Sequence, residues 1–429
     1  MGRLKIVHRI CCGVDVHRDF IVACIATTDE KWVTEYQKHH FSTFKKGLKE
    51  FRDWLLANDC FDVCMESTGK YWFPVHNVLE AYEPTVDKPC KFNIVVSHPK
   101  YVKSIKGKKT DRRDAEWIAD LFKFDIVRGS FIPPADIRQL RDLCRYYVKL
   151  ISYMTGEKNR AQNCLTVSNF KLDSVFSNVF GKSASAIIDY ILEHPGEKFD
   201  VTPLVDGRCK TPISQIQEAV DGEFHPMQAE KLKIIKQHMS DLEALKNNLE
   251  QLIFQLAKPY EAQINLLLTA PGMSERITAI RIIAEIGADM SVFESAKHLT
   301  SWAGLAPQNN ESAGKKKTTR IGKAGDYIKP LLIQIAIAAS RSKNHPEISH
   351  KYLAIKKRRG GKKAHVAIAR RLLTAIFHML LKNEGYNAVL YRKAEKTPEN
   401  RTLTPEQALS YLRKKGFVIV DNAPNEGAA

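Results

Sequence analysis

An α/β amino-terminal domain, a long helical arm and a mainly α carboxy-terminal domain are what the sequence predicts. In the first third of the chain, short apolar strand-like runs alternate with helical spacing, whereas later apolar residues recur chiefly at threes and fours. Length agrees, since 429 residues exceed one hydrophobic core and imply two or three domains.

Composition narrows the partners. Sixty-six Lys and Arg against 48 Asp and Glu give a formal charge of +18, which points to a polyanion. Nucleic acid outranks a membrane surface: the apolar stretch Leu331 to Ala339 is too short to span a bilayer, and the amino terminus lacks a signal-peptide apolar region with a cleavage site. Nine scattered cysteines fit a reducing cytoplasm rather than a disulfide scaffold. Cys11-Cys12 cannot both face one way on a strand, and Cys60 with Cys64 is a lone pair without a matching second pair or a nearby histidine, so any metal is expected to be hard and oxygen-bound.

The first domain reads in order. A strand from Ile6 ends on Asp15; Phe20 to Ala26 and Trp32 to Tyr36 are two more, joined by a turn at Thr28-Asp29-Glu30-Lys31. Phe44, Leu48, Phe51, Trp54 and Leu55 have helical spacing. Phe61 to Glu66 is a fourth strand ending on an acid, Tyr71 to Ala81 a helix, and Phe92 to Val96 a fifth strand. A three-strand meander followed by alternating helix and strand, with acids closing the first and fourth strands, is the layout of a ribonuclease-H-like fold.

That layout brings Asp15 and Glu66 side by side across the sheet. The run Gly107-Lys108-Lys109-Thr110-Asp111-Arg112-Arg113-Asp114 then opens a helix that holds Asp111 and Asp114 on one face, a turn apart. Asp111 also suits a helix N-cap. Four carboxylates in one cleft stay ionised together only with cations between them, and two Mg2+ ions about 4 Å apart serve that purpose. Lys108, Lys109, Arg112 and Arg113 suit a phosphodiester backbone, although each has an ordinary reading as a solvated surface charge.

Beyond this, Ile137 to Asn163 is a helix with Arg138, Arg141, Arg145 and Lys149 as cationic cover, and Ala184 to Leu192 is another. The segment His194 to Pro226 has weak periodicity. From Glu230, Leu232, Ile235, Met239, Leu242, Leu245, Leu249, Leu252 and Leu256 mark a long helix, which is either a dimerising coiled-coil arm or half of an intramolecular hairpin. Leu266 to Gly287 resembles a helix-hairpin-helix whose Pro271-Gly272 turn is suited to approach a phosphate.

Gly304 to Gly325 reads as a glycine-rich cationic loop with Lys315, Lys316, Lys317, Arg320 and Lys323. Its simplest reading is a backbone clamp, but the Ser312 hydroxyl is also placed to attack a phosphodiester. Lys356 to Lys363 is a second basic loop, followed by a helix from Val366 to Leu381. The tail after Tyr391 turns polar.

Taken together, Gly-Val-Asp15-Val-His, Met-Glu66-Ser-Thr-Gly, Lys-Thr-Asp111-Arg-Arg-Asp114-Ala, Ala-Pro271-Gly272, Ser-Trp302-Ala-Gly304-Leu-Ala-Pro307 and Glu-Ser312-Ala-Gly314-Lys resemble the insertion-sequence 110 family of transposases. The resemblance implies a RuvC-like domain over residues 1–150 with Asp15, Glu66, Asp111 and Asp114 as metal ligands. It further implies a helical and coiled-coil region over 151–262, a serine transposase domain over 263–390 with Ser312 as nucleophile, and an extension over 391–429. The family often has Ser-Ser-Gly-Gly where this chain has Glu311-Ser312-Ala313-Gly314. Implied cofactors are Mg2+ or Mn2+. Implied partners are double-stranded DNA at element ends and target, a structured guide RNA in some relatives, and further copies of the chain in a dimer or tetramer. The implied setting is a prokaryotic cytoplasm, at the nucleoid when active. A RuvC-like junction nuclease using water, and a nucleic-acid-binding remnant, are the competing expectations.

Overall fold

The computed structural model describes residues 5–67, 69–99, 111–307, 310–312, 315–318, 320–391 and positions 406, 409, 410 and 412; for 111, 112, 310–312, 315–318, 390 and 391 only the backbone is described. The chain forms two units, Met1–Pro134 and Ala135–Ala429. Residue 150, the expected domain end, lies inside the continuous 33-residue helix Ala135–Val167.

In the first unit, five strands among the described residues form one sheet: β1 (Ile10–Val16), β2 (Phe20–Thr28), β3 (Thr34–Ser42), β4 (Asp62–Glu66) and β5 (Asn93–Ser97), in the order β3-β2-β1-β4-β5. β1 runs antiparallel to β2 and parallel to β4, and β4 runs parallel to β5. This is the ribonuclease-H-like strand order that the sequence predicts. Helices α1 (Lys45–Ala57) and α2 (Trp72–Glu80) cover one face, where Cys12, Val14, Ile21, Phe51, Leu55, Met65 and Leu79 make the main core. Helix α3 (Asp111–Lys123) covers the other through Ile118, Ala119 and Phe122, which pack with Cys11, Ala26 and Cys64. β3 runs well past the expected Tyr36 because it is an edge strand. Its polar side chains lie in solvent and only Phe41 is buried, so it lacks the apolar signal of a central strand.

In the second unit, α4 (Ala135–Val167) pairs antiparallel with α8 (Pro226–Leu256). Tyr147 Oη donates to Glu250 at 3.5 Å, and His238 Nδ1 lies 3.2 Å from Glu157. The long helix thus has a partner in its own chain, the hairpin alternative. Between these helices lie α5 (Leu172–Val175), α6 (Lys182–Glu193) and α7 (Ile213–Ala219). They close a separate core around Phe170, Leu172, Ile187, Ile188, Val201 and Ile216, so the weakly periodic segment is a folded helical cap.

Next come α9 (Glu261–Leu268), α10 (Arg276–Ile286), α11 (Ala296–Trp302), the hairpin β6 (Asn310–Ser312) and β7 (Lys315–Thr318), then α12 (Ile328–Arg341), α13 (Pro346–Arg359) and α14 (Gly361–Lys382). By length and composition α14 is apolar enough to cross a membrane, which the sequence reading overlooked. Ten of its residues, Ile368, Leu372, Leu373 and Ile376 among them, are buried within this unit, as befits a core helix.

Two expectations change here, and a third gains a packing reason. The 356–363 run is not a loop, since α13 continues to Arg359 and α14 begins at Gly361. The Pro271-Gly272 turn does join two helices. However, a Cβ on Gly272 would lie 2.4 Å from Ile335 O and 2.7 Å from Ala339 N, so this glycine is required for packing on α12. Nor are Arg141 and Arg145 surface cover. Arg141 donates to the carbonyls of Ala284 and Glu285, both at 2.8 Å, and Arg145 forks onto the Glu285 carboxylate at 2.8 and 2.9 Å.

Candidate active site

β1 alternates, so Cys11, Gly13 and Asp15 share the α3 side while Cys12, Val14 and Val16 face the main core. Cys64 and Glu66 of β4 share that same side. Val14 registers with Met65, so Asp15 and Glu66 are the next residues on neighbouring parallel strands.

α3 runs antiparallel to β1 across this face. Cys11 Sγ donates to Ala119 O at 3.6 Å, and an added Cβ on Gly13 would meet Ala115 O at 2.2 Å and Ala119 N at 2.3 Å. Asp15 follows Gly13 by one strand repeat, on the same side of β1. α3 begins at Asp111, and Asp114 stands in its first turn, one residue before the buried Ala115. The helix amino terminus carries positive partial charge, which favours acids there.

Outlying pairs fix α3 in place. Tyr36 Oη donates to Asp120 at 2.6 Å, Lys123 Nζ donates to Asp120 at 2.9 Å, and Lys38 pairs with Glu116. Burial, and then the Asp120 bond, push the Tyr36 phenol well above its usual range, so it remains a donor.

The Asp15 side chain is 13% exposed, with His17 Nε2 3.1 Å from its Oδ2. His17 packs on Phe20 with centroids 4.5 Å apart, and Phe20 stacks on His40 at 4.6 Å. The sequence reading gave His17 no role. An Asp-x-His pair at a strand end is the signal that marks it.

Glu66 and Asp114 are half-buried and Arg113 is exposed. Lys108 and Lys109 lie outside the described residues, as do the side chains of Asp111 and Arg112. Among the described residues no group of three or more His, Cys, Asp or Glu is close enough to hold a metal ion. Asp15, Glu66 and Asp114 are oxygen donors, the chemistry a hard divalent cation takes.

In the second unit, Ser312 ends β6 and registers with Lys315, so residues 313 and 314 alone connect the two strands. The expected loop is thus a hairpin, whose side chains at Ser312, Lys315, Lys316 and Lys317 lie outside the described residues; Arg320 and Lys323 are exposed. Its base is closed. Pro307 bridges to Ile321, a Cβ on Gly304 would lie 2.3 Å from Ala324 O, and one on Gly325 would lie 2.3 Å from Ala303 O. Lys329 Nζ donates to Gly322 O at 2.9 Å and Ala324 O at 2.6 Å. Lys329 thus ties the hairpin base together, and the sequence does not single it out, one lysine among many.

The strand order and the paired acids define the first unit as a ribonuclease-H-like domain with carboxylates at its strand ends. A transposase family model of the DEDD type matches residues 12–169, and the model for the IS116/IS110/IS902 family of transposases matches residues 264–353. The chain belongs to this IS110 family of transposases.

The pilin gene-inverting protein of Moraxella bovis is 32% identical over 127 residues, 29% of this chain and 38% of that protein. The chain thus spans well under half the length of this relative. The transposase for insertion sequence element IS1111A of Coxiella burnetii is 22% identical over 386 residues, 82% of this chain and 96% of that protein. The Fowlpox virus resolvase, solved with its substrate Holliday junction DNA, shares 16% identity over 26% of this chain and 72% of its own, with a TM-score of 0.18.

Proposed function

We propose that the chain is a DNA transposase that cuts and rejoins strands to excise and insert an insertion sequence. Asp15, Glu66, Asp111 and Asp114 hold divalent metal, Mg2+ or Mn2+, and Ser312 is the nucleophile. What supports this reading is that Val14 registers with Met65 on parallel strands, one residue before Asp15 and Glu66, and that Gly13 of the same strand packs against Ala115 of α3. When bound, the metal supplies Lewis-acid stabilisation of oxygens at the scissile phosphate.

The chain's own residues do the rest. Ser312 Oγ forms a new bond to phosphorus, and the sugar oxygen leaves and takes up a proton in place of the one the serine gives up. A hydroxyl from another strand reverses the step and joins the new ends. Lys315, Lys316, Lys317, Arg320 and Lys323 draw the phosphate backbone to the hairpin, as Lys108, Lys109, Arg112 and Arg113 do near the carboxylates. The acids of one copy serve the serine of another in a dimer or tetramer, and a structured guide RNA selects the DNA.

Cleavage of element-end DNA, with and without flanking transcripts, tests the metal half. Asp15→Asn and Glu66→Gln are expected to lose at least a hundredfold in rate, by analogy with the loss of a charge-stabilising group. Unchanged rates in chelator would overturn it. Hydrolysis by water is the second reading, and it shares the carboxylates but leaves Ser312 idle.

A further inference from the structure

From Tyr327 to Asn383 the chain carries thirteen Lys and Arg against a single acid, Glu347. Most of the excess positive charge of the whole protein therefore lies in α12, α13 and α14. Its densest part is Lys356, Lys357, Arg358, Arg359, Lys362 and Lys363, all exposed. Among the described residues none of the six pairs with a carboxylate.

These charges sit on a fixed frame. α13 ends and α14 begins with only Gly360 between them, at φ 81° with open space around it. The corner is held by Tyr352 of α13 stacked on His365 of α14, centroids 4.6 Å apart, and Lys356 lies 5.9 Å over the Tyr352 ring. The local potential is felt within the corner: burial, with Arg341 and Lys356 adding to it, pushes the His365 imidazole below its usual range.

Energetics separate the two halves of the cluster. Four cations in the last turn of α13 suit its carbonyl end, but Lys362 and Lys363 stand in the first turn of α14, the wrong sign for a helix start. Among the described residues no carboxylate pairs with either of them. We infer that the α13–Gly360–α14 corner is a sequence-independent clamp for a nucleic-acid phosphodiester backbone, separate from the β6–β7 hairpin. The inference rests on the nucleic-acid substrate of the proposed function.

The test uses the full chain, with fluorescence anisotropy on random-sequence duplex DNA and, separately, duplex RNA across a salt series. One variant carries Lys356→Gln, Lys357→Gln, Arg358→Gln, Arg359→Gln, Lys362→Gln and Lys363→Gln; a second carries only Lys362→Gln and Lys363→Gln. The first is expected to bind at least tenfold more weakly, with the slope of log affinity against log salt shallower by about 3 or more. The second is expected to weaken binding while keeping or raising the melting temperature, which a merely unfolded variant cannot do. A loss confined to the DNA or to the RNA names the backbone the corner holds. Unchanged affinity and slope in both variants overturn the clamp while leaving the proposed function standing. A wild type that binds neither duplex overturns the proposed function itself, and the clamp with it.

Discussion

Gly13 of β1 lies so close to Ala115 of α3 that a Cβ on it would come within 2.2 Å of the Ala115 carbonyl oxygen. Two β1 residues later is Asp15, and α3 begins with Asp111 and carries Asp114 in its first turn. The glycine therefore sets how near two proposed metal-binding elements approach. Gly13→Ala is expected to destabilise the chain by about 1–3 kcal/mol, the scale of forced overpacking. DNA cleavage is expected to fall further than that loss accounts for. Urea unfolding and cleavage rates on the same preparation check both.

Arg145 grips Glu285 through two bonds of 2.8 and 2.9 Å, and the Glu285 side chain is only 7% exposed. Removing the guanidinium leaves a buried carboxylate without its partner. Arg145→Ala is expected to cost about 3–5 kcal/mol, and Arg145→Ala combined with Glu285→Gln less than the sum of the two. A double-mutant cycle by urea denaturation reads the difference.

Lys329 closes the hairpin base through Gly322 O and Ala324 O. Lys329→Met is expected to cost about 1–3 kcal/mol for the lost charged bonds, yet to slow any chemistry at Ser312 at least tenfold by loosening its support. Thermal melting and single-turnover DNA joining separate the two effects.

Burial pushes the thiols of Cys11, Cys24, Cys64 and Cys144 up to about 12. These thiols stay protonated in the folded chain, while an unfolded chain loses the protons near its ordinary thiol range. The unfolded state then binds fewer protons, so stability is full below about pH 8.5 and falls as pH rises toward 12, by up to about 1.4 kcal/mol per pH unit for each thiol. Urea midpoints measured from pH 8 to 11 should fall steadily. At pH 8 a thiol reagent should modify exposed Cys90 first and the four buried thiols only after unfolding.

Much of this was legible because apolar patterns report burial. β1, β2, β4 and β5 carry continuous apolar runs, and Asp15 and Glu66 stand out as acids closing two of them. The sequence predicts too short a β3 because an edge strand needs few apolar residues, and a loop in place of the β6–β7 hairpin because Asn-Glu-Ser and Lys-Lys-Lys-Thr have none. The helical cap escaped because its short elements bury scattered residues such as Phe170 and Val201. Arg141 and Arg145 were misread because a helix face shows its cations but not the carbonyls and carboxylate of Glu285, far away in sequence. Gly13 is one of 22 glycines, and only the coordinates show the helix lying upon it.

The most direct measurement is a search for a denaturant-resistant protein–DNA adduct. It uses wild type, Ser312→Ala and Asp15→Ala proteins with magnesium, element-end DNA and the flanking transcripts. An adduct in wild type, absent from both variants, is the expected result and assigns the nucleophile to Ser312 with the carboxylates assisting. Cleavage that persists in Ser312→Ala without any adduct, yet vanishes in Asp15→Ala, would contradict it and leave a nuclease that uses water.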